Sequence, residues 1–296
     1  VGRARPYATD APAELLAQAK DSHDHNLSFF SGHSSLTFSL AVSAGTDADG
    51  HLVHLEPLHP PHDAELIATT LRGIGFEVAM VRDGDQKRMR GAIRDFGARL
   101  GQLGDDAVAF FYFSGHGDLE SMSMFNNAYL ICYNTPIESY VGMSLSVTFL
   151  NEIANTLSAQ TEAKVVLITD ACHSGKMAGR ENVNALVGQQ LLNAKEKEIR
   201  IASSQADQLS NENVEWGGGR GVFSYYLLNG LKGLADDSKD GIVTLGEIKN
   251  YLQRSMSNDP LLKQEGKVQT PVFKGIDNFT LARVDTVEAM RVKAQA

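Results

Sequence analysis

Two short runs constrain this chain more than anything else in it. Residues 107–113 (AVAFFYF) are continuously apolar, and residues 164–169 (KVVLIT) nearly so. A strand with one wet face would show a polar residue at every second position. A run without that alternation reads as a strand buried on both faces, as in parallel sheets sandwiched between helices. The flanking sequence supplies helices. Residues 62–74 carry Leu66, Ile67, Leu71 and Ile74 at helical spacing before Gly75, and residues 86–103 carry Met89, Ile93, Phe96 and Leu100 on one face. Further helices are expected over 144–157, 221–232 and 244–255, with strands over 76–81, 128–133, 199–203 and 271–275. Residues 35–44 (SLTFSLAVSA) read as a strand or a short helix, which periodicity does not decide, and GTDADG (45–50) reads as a turn. Strands alternating with helices make this an α/β chain with a mostly parallel central sheet and helices on both faces.

Charge and cysteine content narrow the function. Lys plus Arg number 27 against 36 Asp plus Glu, a net charge of −9. That balance speaks against nucleic acid or anionic membrane as a general partner and suits a basic one. The sequence has no apolar run of about 18 residues that would span a bilayer. The cytoplasm is the default expectation for location. Two cysteines, Cys132 and Cys172, make neither a disulfide framework nor a four-cysteine zinc site.

In open parallel sheets, ligands bind beyond the carboxyl ends of the strands. Both apolar runs end in small-residue motifs, Ser114-Gly115-His116-Gly117 and Asp170-Ala171-Cys172-His173-Ser174-Gly175. A free thiol titrates near about 8.5 and needs a base to act at neutral pH. His116 is the candidate base for Cys172. His173 is a rival, but neighbours on an extended segment point apart. The N–H groups of Gly117 and Cys172 are candidate oxyanion donors.

Longer stretches around these motifs resemble a known group of enzymes. LEPLHPPHDAELIATTLRGIGFEV, FFYFSGHG, VVLITDACHSG, RIASSQADQLSNE and GVFSYYLLNGLKGLADDSKDGIVTLGEI are similar to the caspase-like cysteine peptidases, closest to metacaspases and bacterial orthocaspases, over about residues 52–275. The resemblance implies the caspase-hemoglobinase fold. It implies a Cys172/His116 dyad that forms an acyl-enzyme on a protein or peptide substrate, with no third catalytic residue. It also implies cleavage after Arg or Lys, because Asp63, Ser114 and Asp170 match the acidic, substrate-binding pattern of the basic-specific members. A carboxylate pair suits a guanidinium. The plain alternative for Asp63 is a carboxylate favoured by the helix N-terminus. Lys176, Arg180, Lys195 and Lys197 lie in the polar linker 176–198, where many relatives cut themselves. A solvated loop is the equal alternative. A catalytically silent interaction module of the same fold is the rival to the peptidase as a whole.

No cofactor is expected, with one candidate exception. Asp236, Asp240 and Glu247 stand at calcium-loop spacing, with Gly241 at the sixth place and Glu247 at the twelfth. A turn followed by a capping box from Thr244 to Glu247 is the favoured reading of the same residues.

The N-terminus carries a second resemblance. Arg5-Pro6 and Ser31-Gly32-His33, within residues 3–45, resemble a fragment of the type 2 phosphatidic acid phosphatases. The later motif and the membrane helices of that family are missing, so no phosphatase site is complete. The expected organisation is a phosphatase-like segment over 1–45 that supplies the first strand from residues 36–44. A peptidase domain over 46–281 follows, with a large part to about 175 and a small part over 199–281. A tail over 282–296 ends the chain. Oligomeric state is left open.

Overall fold

The computed structural model describes residues 35–41, 45–46, 52–53, 60–73, 76–100, 108–119, 127–133, 135, 140–160, 164–173, 198–205, 208, 210–217 and 219–284. At 35–41, 45–46, 52–53, 60–62, 116, 118–119, 140, 160 and 171–173 it describes the backbone alone. The chain order is β1 (Ser35–Ala41), β2 (Gly45–Thr46), β3 (Leu52–Val53), α1 (Pro60–Gly73), β4 (Glu77–Arg82), α2 (Gln86–Leu100), β5 (Val108–Leu119), β6 (Ala128–Leu130), α3 (Tyr140–Met143), β7 (Leu145–Ser146), α4 (Val147–Gln160) and β8 (Lys164–His173). After residues 174–197, which lie outside the described residues, come β9 (Glu198–Ala202), β10 (Glu212–Asn213), β11 (Arg220–Gly221), α5 (Val222–Asn229), a π-helical turn (Gly230–Leu234), β12 (Ile242–Thr244), α6 (Leu245–Asn258), α7 (Pro260–Gln264), β13 (Val272–Lys274) and β14 (Thr280–Arg283).

The central sheet runs β13-β9-β8-β5-β1-β4. From β9 to β4 every pairing is parallel, while β13 joins β9 antiparallel and β6 joins the far end of β5 antiparallel. From β1 the chain steps outward to β4, then returns to the other side of β1 for β5 and proceeds to β8 and β9. The direction therefore reverses between β1 and β5, the position where open α/β sheets place ligands.

Each face of the sheet carries its own core. On one face Ile67 and Leu71 of α1, Phe110 and Tyr112 of β5, Val166 and Ile168 of β8, and Phe223 and Leu227 of α5 pack together with α6. On the other, Met89, Ile93, Phe96 and Leu100 of α2 meet Phe111 and Phe113 of β5 and Val165 and Leu167 of β8, with α4 beside them. Alternate residues of the same strands thus feed opposite cores, which is why their sequences lack polar alternation.

Helix starts follow local chemistry. Prolines open α1 and α7, where a missing N–H is tolerated. The Asp85 carboxylate accepts the Arg88 N–H at 2.7 Å at the start of α2. Thr244 and Glu247 form the expected capping box at α6.

The sequence reading and the structure differ in instructive places. β5 and β8 do not stop before their small-residue motifs. β5 runs through Ser114 to Gly117 and β8 continues from Asp170 to His173, paired from Val108↔Lys164 to Gly117↔His173, while Ser174-Gly175 lie outside the described residues. Ladder hydrogen bonds are made by the backbone, so Ser, Gly and His rungs are invisible to apolar patterning. Residues 35–41 resolve as a strand, seated parallel between β4 and β5. β14 pairs with β12 and carries the packed fold through Arg283, beyond the expected boundary at 281. Gly45-Thr46 pair antiparallel with Leu52-Val53, while residues 47–50 of the expected turn lie outside the described residues. Residues 1–34, with Arg5-Pro6 and Ser31-Gly32-His33, and the tail from 285 lie outside the described residues. No helix among the described residues is long and apolar enough to cross a membrane.

Among the described residues one ion pair is fully buried. Arg200 Nη2 donates to Glu198 Oε2 at 2.7 Å on β9, and the Ser158 hydroxyl of α4 donates to Glu198 Oε1 at 3.1 Å. Both charged side chains are at most 1% exposed. Burial lowers the Arg200 pKa from its usual value, against the opposing pull of Glu198. Removing one partner strands the other charge in the core. Glu198→Ala is expected to destabilise the fold by about 3–5 kcal/mol in urea unfolding, and replacing both residues with Met to destabilise it far less.

Candidate active site

The shared ladder of β5 and β8 sets the geometry of the motif residues. Ser114 pairs in register with Asp170, and His116 with Cys172. The two residues expected to form the dyad are thus rung partners on adjacent parallel strands, two steps beyond Ser114 and Asp170. Their side chains lie outside what is described. Gly117 stands at the last common rung of β5 and β8 and pairs with Leu130 of β6.

Two rungs below the dyad positions three polar side chains are buried together. Asp63, Ser114 and Asp170 are 2%, 3% and 2% exposed. Helix α1 brings Asp63 over the sheet to the same place as Asp170. The Gly221 N–H donates to Asp63 Oδ2 at 3.0 Å, and the Ser224 hydroxyl donates to Asp170 Oδ2 at 2.5 Å. Gly221 sits against both acids. A side-chain carbon there would lie 3.0 Å from Asp170 Oδ2 and 3.5 Å from Asp63 Oδ2. Any larger residue would fill the space the two carboxylates share. The second oxygen of each acid, Oδ1, is buried and has no hydrogen-bond partner. Buried carboxylate oxygens are normally satisfied, so an orphan on each acid points to an absent donor.

Beneath the acids runs a chain of hydroxyls. The Tyr112 and Ser224 oxygens are 2.6 Å apart. Since Ser224 donates to Asp170, Tyr112 donates to Ser224. Hydroxyls of Ser203 and Ser210 also act on Asp170.

The electrostatics follow from burial. Desolvation, with the charge of Asp170 beside it, pushes Asp63 up to about 8, against the Gly221 N–H. Desolvation also raises Asp170, to about 6, opposed by the hydroxyl of Ser224 and then by Ser203. Glu212 raises both acids further. Tyr112, fully buried beside the two acids, is held well above its ordinary value. Two buried carboxylates this close do not ionise together readily.

The wall beside Gly221 is the β10–β11 hairpin, and it is braced from behind. Gln269 accepts the Asn211 N–H at 2.7 Å and donates to the Ser203 carbonyl at 2.9 Å. Asp259 accepts from the Trp216 indole at 2.9 Å and from the Tyr226 hydroxyl at 2.8 Å.

Sequence reasoning named Asp63, Ser114 and Asp170, and the structure brings them together. It missed Tyr112, Gly221, Ser224, Ser203, Ser210 and Glu212. Tyr112 was accessible from parity, being two residues before Ser114 on one strand. Gly221 and Ser224 lie in the GVFS stretch, whose apolar context reads simply as a helix start.

In the calcium-spaced loop the Asp236 and Glu247 carboxylates accept donors from within the loop itself. Asp236 accepts from the Ser238 hydroxyl at 3.2 Å and from the N–H groups of Asp240 and Gly241 at 3.3 and 3.0 Å. Glu247 accepts the Thr244 N–H at 2.9 Å and the Ser238 N–H at 3.1 Å. Partial burial raises the Glu247 pKa, but these donors outweigh it and hold the carboxyl below its usual value. Among the described residues no group of three or more His, Cys, Asp or Glu side chains is arranged to hold a metal ion.

The raised Asp63 pKa makes a stability prediction. Above the ordinary value of 3.8 the unfolded chain has lost this proton, while the folded chain keeps it up to about 8. Folding therefore takes up a proton, and this group's contribution falls as pH rises from about 4 through about 8. Asp63→Asn removes that penalty. It is expected to raise Tm by about 2–4 °C or more at pH 8.5 and to change it less at pH 5.5, read from thermal melts.

Comparison with known proteins fits this geometry. Residues 50–279 match the caspase domain family. No curated protein sequence matches the chain. Among solved structures, the crystal structure of protein GSU0716 from Geobacter sulfurreducens is similar in fold, with a TM-score of 0.55 at 17% identity over 85% of this chain and 100% of that one. A family match over most of the chain, on a mostly parallel sheet with the His-Gly and Asp-x-Cys motifs on adjacent strands, makes this protein a member of the caspase-domain peptidase family.

Proposed function

We propose that this protein is a cysteine endopeptidase that cleaves peptide bonds after Arg or Lys. The observation that carries the reading is the buried Asp63–Asp170 pair, with an unpartnered oxygen on each acid, two rungs from the His116–Cys172 pairing. A guanidinium has five N–H donors in a planar fork and satisfies two carboxylates at once. An acidic substrate side chain would meet repulsion in the same place. Ser114, on the rung of Asp170, supplies a neutral donor and acceptor beside them.

In this reading the Cys172 thiolate attacks the scissile carbonyl after His116 has taken its proton. The N–H groups of Gly117 and Cys172 hold the developing oxyanion. His116 then returns the proton to the leaving amine, which departs and leaves a thioester on Cys172. Water, deprotonated by His116, attacks the thioester and releases the new carboxylate. The basic side chain is held by Asp63 and Asp170, which fixes the register of the peptide relative to the sulfur.

Matched fluorogenic peptides ending in Arg, Lys or Asp test the reading. Hydrolysis is expected after Arg and Lys, to fall at least about 1,000-fold in Cys172→Ala, and to be absent after Asp. Asp170→Asn is expected to raise KM for the Arg peptide about tenfold or more through loss of a charge-assisted hydrogen bond. Cleavage after Asp alone would overturn the pocket assignment. No cleavage of any of them would favour the silent interaction module.

The same specificity suits self-processing. Lys176, Arg180, Lys195 and Lys197 lie between β8 and β9. Incubated wild type is expected to divide into two fragments joined within the fold, and Cys172→Ala to stay whole on a denaturing gel. An uncut wild type that still hydrolyses Arg peptides would refute self-processing alone.

A further inference from the structure

We infer that the specificity pocket is a proton-exchange site: the acid pair holds one proton when empty, and the incoming basic side chain takes the proton's place, releasing it to solvent. This rests on the Arg/Lys reading above and adds the regulation of that same site by pH.

The geometry calls for a shared proton. Asp63 and Asp170 come from different elements, α1 and β8, and both reach within 3.5 Å of a single point beside Gly221. The Gly221 N–H and the Ser224 hydroxyl donate to the Oδ2 atoms, while each Oδ1 is buried without a hydrogen-bond partner, the hydroxyls of Ser203 and Ser210 acting on Asp170 from nearby. Two carboxylates whose Oδ2 atoms both approach that one point repel strongly when both are ionised, and one proton removes most of that repulsion. Burial places the more basic member of the pair at about 8, so the proton is still held at neutral pH. A guanidinium or ammonium brings its own positive charge and its own donors. Once it is seated, both acids are stabilised as carboxylates and the proton has no remaining function there. It leaves as a hydronium ion or on a buffer base, and no covalent bond other than O–H is broken.

The charged and titratable groups around the pair come from every wall. Tyr112 of β5 lies beneath it, linked through Ser224 of α5. Glu212 of β10 is the exposed cross-strand partner of Gly221, and Arg220 of β11 precedes that glycine. Glu212 raises both acids, and Arg220 lowers Asp63. Ser203 and Ser210 add neutral hydroxyls beside Asp170. His116 and Cys172 follow two rungs away, so the test must separate their protons from those of the pair.

Calorimetry on the Cys172→Ala protein does so. An acetylated tetrapeptide amide ending in Arg is titrated at pH 7 in phosphate and in Tris, whose ionisation enthalpies differ. The expected result is release of about one proton per peptide bound, with Kd falling about tenfold per pH unit between pH 6 and 7.5 and levelling above about 8. The same peptide ending in citrulline, neutral and of equal shape, is expected to release none. Adding Asp63→Asn is expected to abolish release. Should that variant fail to fold, the citrulline comparison and the pH series on Cys172→Ala decide alone. Binding of the Arg peptide without proton exchange and with a flat Kd from pH 6 to 9 would overturn the inference and leave the Arg/Lys reading standing. Release that persists in both Asp63→Asn and Asp170→Asn would assign the proton to His116 and also overturn it. Binding of an Asp peptide but of no Arg or Lys peptide would overturn the Arg/Lys reading itself, and this inference with it.

Discussion

The parallel ladder between β5 and β8 is the interaction on which the rest of the structure depends. It runs unbroken from Val108↔Lys164 to Gly117↔His173. Its lower rungs are the apolar centre of two cores, and its upper rungs carry every motif residue that sequence reasoning selected on those strands. Strand parity sorts the side chains: Phe110 and Tyr112 join the core under α1 and α5, and Phe111 and Phe113 the core under α2. Ser114 and Asp170 continue the first series. Because a one-residue slip would turn every side chain to the other face, the packing of the lower rungs fixes the register of the upper ones. The placement of His116 opposite Cys172 is therefore a consequence of where phenylalanines and valines pack.

Against that rigid frame the acid pair is a local liability held by neighbours. Asp63 and Asp170 are buried where charge is disfavoured, and their pKa values rise accordingly. The supports are specific. Gly221 reaches Asp63 through its own backbone because it has no side chain to intervene. The hairpin that carries Gly221 is in turn tied down by Gln269 and Asp259, far along the chain. Buried carboxylates with strongly shifted pKa values cluster at functional sites, which is what makes this pair the candidate one.

How much was legible in the sequence depended on what kind of interaction decided each feature. The parallel α/β class came from apolar runs and helical periodicity, since burial on two faces leaves a direct trace in composition. Asp63, Ser114 and Asp170 were legible through their motifs. The extension of β5 and β8 through SGHG and DACH was not, because main-chain pairing leaves no mark on residue type. Strand β14 was missed for a related reason: its pairing with β12 is a short antiparallel contact between segments far apart in sequence. Tyr112, Ser224 and Gly221 converge from β5, α5 and β11, and only tertiary packing joins them. The Thr244–Glu247 capping box was legible because its spacing is local.

Strand β1 holds the middle of the sheet, between β4 and β5, although it precedes both in the chain and lies before the family-matched segment that begins at residue 50. Of the described strands of the central sheet it is made before its partners: β4 follows within about 40 residues, but the rungs with Val108 to Ser114 of β5 are complete only about 70 residues after β1. Until then the edge of β1 that faces β5 stays unpaired, whether or not β4 has joined its other side. Such non-local pairing slows folding and leaves unpaired strand edges exposed meanwhile. Among the described strands, β1 thus has an edge that is open to wrong partners while the chain is still being made, although it ends in the interior of the sheet.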